Sequence, residues 1–335
     1  MKAEFPDQDL FAHRKIAILI PCYNEEKTIG DVVRNFKARL PNAAIYVFDN
    51  DSTDRTVQEA SKAGAIVRHE LRRGKGYVIR SMFREVEAEV YVMVDGDGTY
   101  PDDQIYNLIR PVLAGRADMV IGSRLHVGSN SRFKVPNRIG NWLFRGILNF
   151  LFRVQVTDLL SGFRAISRDV VKGLPFLSCG FESETELTVK CLERGFHIVE
   201  IPIDLAPRPA GSQSKIHILR DGLLILNTLF ALARDYRPLT VFGLAGLVLV
   251  GCGLIPGIIV IDEYIVTGQI LRFPLAILSV GLVLSGLLVL FAGVVLHAID
   301  RRFQELDFQM VELLARPVNV SESGNLTRQI ITGKD

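Results

Sequence analysis

The sequence is poor in cysteine and carries almost no net charge. Its 335 residues include only four cysteines, Cys22, Cys179, Cys191 and Cys252, whose scattered positions match neither metal-binding nor redox spacing. We therefore expect reduced, structural thiols, as a cytosolic location requires. The formal net charge of +2 gives no reason to expect nucleic acid as a partner.

Two common nucleotide-binding motifs are also missing. The first apolar run, residues 16–20, is not followed by G-x-G-x-x-G, and G-x-x-x-x-G-K-[ST] does not occur. A dehydrogenase and a P-loop ATPase therefore lose most of their support. Residues 1–14 are charged and have no apolar core, so we expect no signal peptide.

Charged residues are absent from two long stretches near the carboxyl terminus. Residues 238–261 and 273–299 contain no Asp, Glu, Lys or Arg, and each exceeds the roughly 20 residues that cross a bilayer as a helix. A pair of buried core helices is the disfavoured alternative. The outer ends are flanked by Arg234, Arg237, Arg301 and Arg302. The positive-inside rule then predicts that both termini and the large amino-terminal region lie in the cytoplasm. We expect an integral protein of the plasma (inner) membrane.

The amino-terminal region alternates short apolar runs with amphipathic segments, which is typical of βαβ units in a mostly parallel sheet. The predicted strands are residues 16–20, 45–48, 65–67, 90–94 and 119–121. The predicted helices are residues 28–40, 56–63, 76–87 and 102–114. Ligands of such sheets bind beyond the carboxyl ends of the strands, so the loops there are the candidate site.

Those loops carry polar clusters. Asp95-Gly96-Asp97 follows the apolar run 90–94, and two carboxylates so placed can hold a hard divalent cation that neutralises a diphosphate. Ordinary turn chemistry explains an isolated triplet equally well. Arg72-Arg73-Gly74-Lys75-Gly76 leads into a helix, where backbone donors and a lysine suit an anion.

Two further segments are amphipathic. Residues 131–154 mix basic and aromatic side chains, which suits either a helix at an anionic membrane surface or one packed on the sheet with a solvated basic face. Residues 216–237 abut the first uncharged run, and we favour an interfacial helix there. We thus expect a catalytic domain at 1–215, this helix at 216–237, two transmembrane helices at 238–299 and a cytoplasmic tail at 300–335.

The chain carries, in this order, Pro21-Cys22-Tyr23-Asn24-Glu25-Glu26, the Asp49 cluster, Asp95-Gly96-Asp97, Gly122-Ser123-Arg124, Asp158-Leu159-Leu160-Ser161-Gly162-Phe163-Arg164 and Glu182-Ser183-Glu184. This ordered set resembles the family 2 glycosyltransferases of the GT-A fold, specifically the polyprenyl-phosphate or dolichyl-phosphate sugar transferases. The similarity covers residues 16 to about 216. It implies an α/β, Rossmann-like catalytic domain with a mostly parallel sheet and a carboxyl-terminal transmembrane hairpin. Where the family commonly has Asp-Asp-Gly-Ser, this chain has Asp49-Asn50-Asp51-Ser52. The amide of Asn50 suits the edge of either uracil or guanine, so the sequence favours uridine over guanosine only weakly.

The resemblance implies a role for each matching residue. The nucleotide-sugar would contact Pro21, Tyr23, Asn24, Glu25, Asp49, Asn50, Lys75, Asp95 and Gly96. Mg²⁺ or Mn²⁺ would bind Asp97, with Asp95 contacting the metal or the ribose. The alternative to ligand binding is a purely structural role: strand-end packing for Tyr23, an Asx turn for Asp49 and Asn50, and a solvated basic turn for Lys75. Glu184 holds an acceptor-loop cation or is a helix-surface charge.

The acceptor chemistry separates members of this family. A sugar or lipid hydroxyl needs a general base, whereas a monophosphate is already anionic at pH 7 and is itself the nucleophile. The expected phosphate ligands are Arg124, Arg164, Arg208, Ser214 and Lys215, although the last three also fit a juxtamembrane basic linker. The catalytic set is Asp97, Arg124 and Asp158, with Asp158 orienting the sugar or acceptor and base catalysis as the minority view.

The sequence therefore predicts an inverting transfer of a sugar from a nucleotide-diphospho-sugar to polyprenyl phosphate. The alternatives are transfer to a lipid hydroxyl, with Asp158 as base, and a catalytically silent membrane scaffold or nucleotide sensor. Processive polysaccharide synthesis is disfavoured, because Gln-x-x-Arg-Trp is missing. Glycines in the uncharged runs make a homo-oligomer plausible.

Overall fold

Among the residues that the structure describes, seven strands form one mixed sheet in the amino-terminal part of the chain. The computed structural model describes residues 14–125, 156–176, 182–206 and 218–315, with the isolated residues 11, 146, 149, 150, 178 and 180. The chain divides into two compact units, Met1–Ala233 and Arg234–Asp335. The strands are β1 Ile16–Cys22, β2 Ala44–Asp49, β3 Ile66–His69, β4 Val90–Met93, β5 Met119–Ser123, β6 Arg164–Ser167 and β7 Ile198–Pro202.

The strand order is β3-β2-β1-β4-β6-β5-β7, and β6 is the strand that runs antiparallel to its neighbours β4 and β5. Both faces of the sheet are covered. In β1, Ile18 and Ile20 belong to the apolar cluster on one face, whereas Ala17 and Leu19 belong to the cluster on the other. Burial on both faces explains why the central strands are continuous apolar runs rather than alternating ones.

The described helices up to Tyr236 are α1 Ile29–Arg39, α2 Thr56–Lys62, α3 Lys75–Glu85, α4 Ile105–Leu113, α5 Arg168–Gly173, α6 Ser183–Glu193 and α7 Ile218–Tyr236, the last of which runs past the end of the first unit at Ala233. In α1, Ile29, Val32, Val33 and Phe36 are buried, the spacing of one helix face. The segment predicted as a helix over residues 102–114 begins as a 3₁₀ turn, Asp102–Gln104, before α4.

The first five strands lie where the apolar runs predicted them. Observed β3 lies slightly further along the chain than residues 65–67, and β1 continues to Cys22. The sequence analysis marked neither β6 nor β7. β6 has only four residues and begins with Arg164, so its strand character comes from pairing with Met93 and Ile121 rather than from its own pattern.

In its described residues the second unit contains two long apolar helices, α8 Pro238–Thr267 and α9 Phe273–Ala315. By length and composition, Pro238–Thr267 and Phe273–Phe303 can each cross a membrane, with a mean hydropathy of 2.6 in the most apolar window of each. Both helices extend beyond the uncharged runs. α8 continues through Asp262 and Glu263, and α9 continues beyond residue 299 into the segment expected to be the tail.

Small residues let α8 and α9 approach closely. A Cβ atom added to Gly246 would lie 2.8 Å from the carbonyl oxygen of Gly286, and one added to Gly286 would lie 2.8 Å from that of Gly246. Ser279 donates a hydrogen bond of 2.7 Å from Oγ to the carbonyl of Gly253. This contact resembles the small-residue packing of transmembrane helix pairs.

Candidate active site

The carboxyl ends of β1 and β2 are adjacent in register, so the loops that follow them interlock. The backbone N–H of Asn24 donates to Ser52 Oγ at 2.9 Å, and Thr53 N–H donates to Asn24 Oδ1 at 2.8 Å. The backbone N–H of Glu25 donates to Thr56 Oγ1 at 2.7 Å. Asn24 has a φ of 51°, a left-handed conformation that asparagine tolerates better than most residues. Asn24 and Glu25 thus tie the loop after β1 to the loop after β2.

Asp49 is the last residue of β2 and Asn50 follows it, and their side chains have different surroundings. The Asn50 side chain donates to the carbonyls of Glu70 and Arg72 and accepts from the N–H of Gly74 at 2.8 Å. Asp49 is buried, and its Oδ2 accepts from Ser52 N–H at 3.2 Å. Its Oδ1 is buried without a hydrogen-bond partner in the described part of the chain. Asn50 therefore holds the 70–74 loop, and Asp49 has one acceptor atom to offer a ligand.

An aromatic and basic pair lies beside these residues. The guanidinium of Arg73 lies 4.5 Å from the ring centroid of Tyr23 and 3.0 Å from Asp51 Oδ2. Hydrogen bonding to Tyr23 and Asp51 raises the pKa of Arg73. Tyr23 and Pro21 are both half-buried. Tyr23, directly after β1, therefore offers a half-buried aromatic ring that is in contact with the Arg73 guanidinium.

The Asp95-Gly96-Asp97 turn follows β4 and is tied to its neighbours. The carbonyl of Gly96 accepts from Thr28 Oγ1 at 2.7 Å. Asp97 is buried, and its Oδ1 accepts from the backbone N–H of Thr99 at 3.1 Å and from its hydroxyl at 2.7 Å. These bonds orient the Asp97 carboxylate before any ligand binds.

Lys75 begins α3 and inserts between two carboxylates. Its Nζ lies 2.7 Å from Asp95 Oδ1 and 2.6 Å from Glu184 Oε1. Burial disfavours the ammonium, but the attraction of Asp95 and Glu184 outweighs burial and raises the pKa of Lys75. Glu184 is itself buried, so it is not the helix-surface charge that one alternative expected.

Arg124 and Asp158 form a buried, two-pronged ion pair. Arg124 Nε donates to Asp158 Oδ2 at 2.7 Å, Nη2 donates to Oδ1 at 2.8 Å, and the backbone N–H adds a bond of 2.9 Å. Burial raises the pKa of the Asp158 carboxyl, but the attraction and hydrogen bonds of Arg124 outweigh it and leave that pKa below its ordinary value. Asp158 is thus a poor proton acceptor in this arrangement.

Arg164 corrects one expectation. The sequence analysis placed its guanidinium at the acceptor phosphate, but the side chain is fully buried. Nε donates to the carbonyl of Ser161 at 2.8 Å, Nη2 to that of Leu159 at 2.7 Å and Nη1 to Thr188 Oγ1 at 2.8 Å. Arg164 therefore braces the loop that carries Asp158, because its strand register turns the side chain inward. Arg208, Ser214 and Lys215 lie outside the described residues.

Sequence reasoning missed two residues that shape this site. Glu200, on β7, accepts hydrogen bonds from the backbone N–H groups of Thr157 and Asp158 at 2.9 Å each, and so fixes the start of the Asp158 loop. A Cβ atom added to Gly162 would lie 2.6 Å from Asp95 Oδ2. Only the quoted Ser-Gly-Phe-Arg motif hinted at Gly162, and no local pattern marked Glu200.

The site offers oxygen ligands to a metal, but few of them. Asp95 and Asp97 supply two carboxylates after β4, and the described residues contain no group of three or more His, Cys, Asp or Glu side chains that could hold a metal ion. Mg²⁺ and similar hard cations commonly bind through one or two carboxylates together with substrate phosphates. The donor set therefore fits a cation that arrives with a diphosphate.

Comparisons with known proteins identify the class. The family model described as Glycosyl transferase family 2 matches residues 17–174. Glycosyltransferase AglJ of Haloferax volcanii is 34% identical over 283 residues, which cover 83% of this chain and 91% of the relative. The Dolichyl-phosphate hexose transferase of the same organism is 29% identical over 223 residues, covering 66% of this chain and 95% of the relative.

A solved structure shows the fold. The glucosyl-3-phosphoglycerate synthase of Mycobacterium tuberculosis, in complex with Mn²⁺, UDP-glucose and phosphoglyceric acid, superposes with a TM-score of 0.58 at 22% identity. The match covers 67% of this chain and 81% of that structure. The expectation of a GT-A sheet domain followed by two long apolar helices is confirmed. The chain belongs to glycosyl transferase family 2, and it is a glycosyltransferase.

Proposed function

We propose that this protein is a membrane-anchored, inverting glycosyltransferase that transfers a sugar from a UDP-sugar to polyprenyl phosphate. The products are polyprenyl-phospho-sugar and UDP. A relative named Dolichyl-phosphate hexose transferase, matched over 95% of its length, supports a lipid phosphate as the acceptor. The glycosyltransferase relatives also argue against the silent scaffold.

The Arg124–Asp158 pair is the observation that carries this proposal. Transfer to a hydroxyl would need Asp158 as a general base, but both of its oxygens accept hydrogen bonds from Arg124 and its pKa is lowered. A phosphate monoester is already anionic at neutral pH and needs no such base. It needs cations, and Arg124 supplies one, with its side chain 17% exposed. Arg208, Ser214 and Lys215 are proposed to complete the phosphate site.

Asp49 favours uracil over guanine. Guanine presents two neighbouring N–H donors on its pairing edge, which suit both oxygens of one carboxylate. Asp49 Oδ2 is engaged by Ser52 N–H at 3.2 Å and faces His69 Nδ1 at 3.5 Å. Oδ1 remains, and one acceptor matches the single N–H of uracil. The donors of Asn50 are taken by Glu70 and Arg72.

A divalent cation, Mg²⁺ or Mn²⁺, is proposed to accompany the donor at Asp95 and Asp97, and when bound it would offset the charge of the departing diphosphate. The structural relative in complex with Mn²⁺ and UDP-glucose supports this assignment. In this chain Thr99 orients Asp97 through two hydrogen bonds, and Lys75 holds Asp95. The protein thus presents prepared oxygen ligands rather than a dedicated metal cage.

The membrane-facing parts are proposed as follows. Residues 1–215 form the catalytic domain on the cytoplasmic face, 216–237 an interfacial helix, 238–299 the two spans and 300–335 the tail. α7 supports an interfacial position, because Leu223 is 67% exposed and Phe230 is 59% exposed. Homo-oligomerisation through glycines of the spans belongs to the same proposal.

One assay tests the proposal. The purified full-length protein in detergent is incubated with polyprenyl phosphate or diacylglycerol and with a panel of UDP- and GDP-sugars, with and without EDTA. We expect lipid-linked sugar from polyprenyl phosphate and a UDP-sugar alone, abolished by EDTA and by Asp97→Asn. Product on diacylglycerol would refute the phosphate acceptor, and turnover that survives both EDTA and Asp97→Asn would refute the metal.

A further inference from the structure

Lys75, Asp95 and Glu184 form a chain of charges at the donor site. Lys75 Nζ lies within hydrogen-bond distance of both carboxylates, at 2.7 Å from Asp95 and 2.6 Å from Glu184. The Lys75 side chain is 13% exposed and that of Glu184 is 4% exposed, whereas that of Asp95 is 31% exposed. Of these three side chains, Asp95 is therefore the one that a ligand can reach, and Glu184 is the most deeply buried.

The Asp95 carboxylate is confined on both sides. Lys75 binds Oδ1, and the backbone at Gly162 lies against Oδ2, closely enough that an added Cβ atom would be 2.6 Å away. Lys75 fixes the carboxylate only if its own ammonium is held in place. Glu184 supplies the second anchor for that ammonium, from the first turn of α6.

The same helix contains a second buried ion pair that does not involve Asp95. Glu186 Oε1 lies 2.6 Å from Lys190 Nζ, with side chains 4% and 5% exposed. Glu186 and Lys190 bind the backbone before the helix, at Ser178 N–H and the Pro175 carbonyl. The two pairs match in distance and burial, so they differ chiefly in what the lysine touches.

We propose that Glu184 is a positioning residue for the donor site, which holds Lys75 against Asp95 and thereby orients Asp95 toward the nucleotide and its divalent cation. This inference rests on the proposed function. Replacing Glu184 by Gln removes the negative charge of one of the two anchors of the ammonium while preserving the side chain's shape. Loss of a partner behind a metal ligand typically weakens metal binding by about 10- to 100-fold.

The test measures binding rather than turnover. Isothermal titration of UDP, and separately of GDP, in the presence of MnCl₂ is performed on the full-length protein in detergent, with Tm as the measure of folding. We expect Glu184→Gln to raise the Kd for UDP with Mn²⁺ by about tenfold or more. Glu186→Gln is the matched control, and we expect a comparable fall in Tm with the Kd unchanged.

A double-mutant cycle shows whether Glu184 acts through Asp95. In an Asp95→Asn background, Glu184→Gln should have no further effect on the Kd, because its target is already altered. Additive effects, an unchanged Kd in Glu184→Gln, or an equal rise in Glu186→Gln would each overturn the inference. If wild type binds neither UDP nor GDP with Mn²⁺, the proposed function fails together with it.

A second variant covers the case in which Glu184→Gln does not fold. Lys75→Met combined with Glu184→Met removes the ion pair as a whole, and such replacements commonly preserve folding. The proposal expects the same rise in Kd for UDP with Mn²⁺, because Asp95 loses its anchor. Wild-type affinity in this folded variant would contradict the proposal.

Discussion

Gly162→Ala tests the packing that holds Asp95. Gly162 lies in the loop before β6, and its backbone N–H donates to the hydroxyl of Tyr100 at 2.9 Å. An added Cβ atom would lie 2.6 Å from Asp95 Oδ2 and 2.9 Å from its Cγ. The opposite side of the carboxylate is closed by Lys75. The new methyl group therefore displaces the carboxylate, the loop or both.

The size of the effect follows from these distances. Ordinary contact begins at 3.4 Å, so the carboxylate or the loop must shift by about 0.8 Å. A misplacement of about 1 Å in an active site can cost 10²-fold in rate. We expect kcat/KM for the proposed sugar transfer to polyprenyl phosphate to fall by about 10- to 100-fold, which corresponds to about 1.4–2.7 kcal/mol. The overpacking costs about 1–3 kcal/mol of stability.

The assay compares Gly162→Ala with Gly173→Ala under identical conditions. At Gly173 the nearest atom to an added Cβ is Phe196 Cζ at 4.0 Å, so this control meets no obstruction. We expect it to retain activity within about twofold, since alanine suits a helix better than glycine. If Gly162→Ala is folded and equally active, the close approach at Asp95 does not control catalysis and the reasoning is wrong.

Three further outcomes are expected. The guanidinium of Arg72 holds the pKa of Glu70 at about 2, below the ordinary 4.5. Glu70→Gln should therefore lower the free energy of unfolding by about 1–2 kcal/mol above pH 5 and by progressively less as the pH falls toward 2. Melting curves across pH check this, and a loss of stability that does not change with pH contradicts it. Arg164→Lys should cost about 2–4 kcal/mol, because two loop carbonyls lose their donor, and an unchanged Tm would refute the brace. Gly246→Val should lower Tm in detergent, because the new side chain meets Gly286. Gly251→Val should leave Tm unchanged, because an added Cβ there meets nothing within 4 Å in the described structure.

Features that depend on neighbours along the chain were predictable. Apolar runs of strand length, polar residues directly after them and two long uncharged stretches are local patterns, and they located the first five strands, the Asp95-Gly96-Asp97 turn and the helices α8 and α9. The family's motif order added Asp158 and Arg124 to the candidate site. These predictions needed no knowledge of which strands pair.

Features that depend on contacts between distant segments were decided by tertiary structure alone. The insertion of β6 between β4 and β5 turns Arg164 into the core rather than toward an acceptor. The fold also brings Glu184 to Lys75 and Lys75 to Asp95. A charged side chain shows in sequence only its type. Whether it binds a ligand or anchors another side chain depends on its register and burial, because these set the partners within reach and the energetic cost of leaving its charge unpaired.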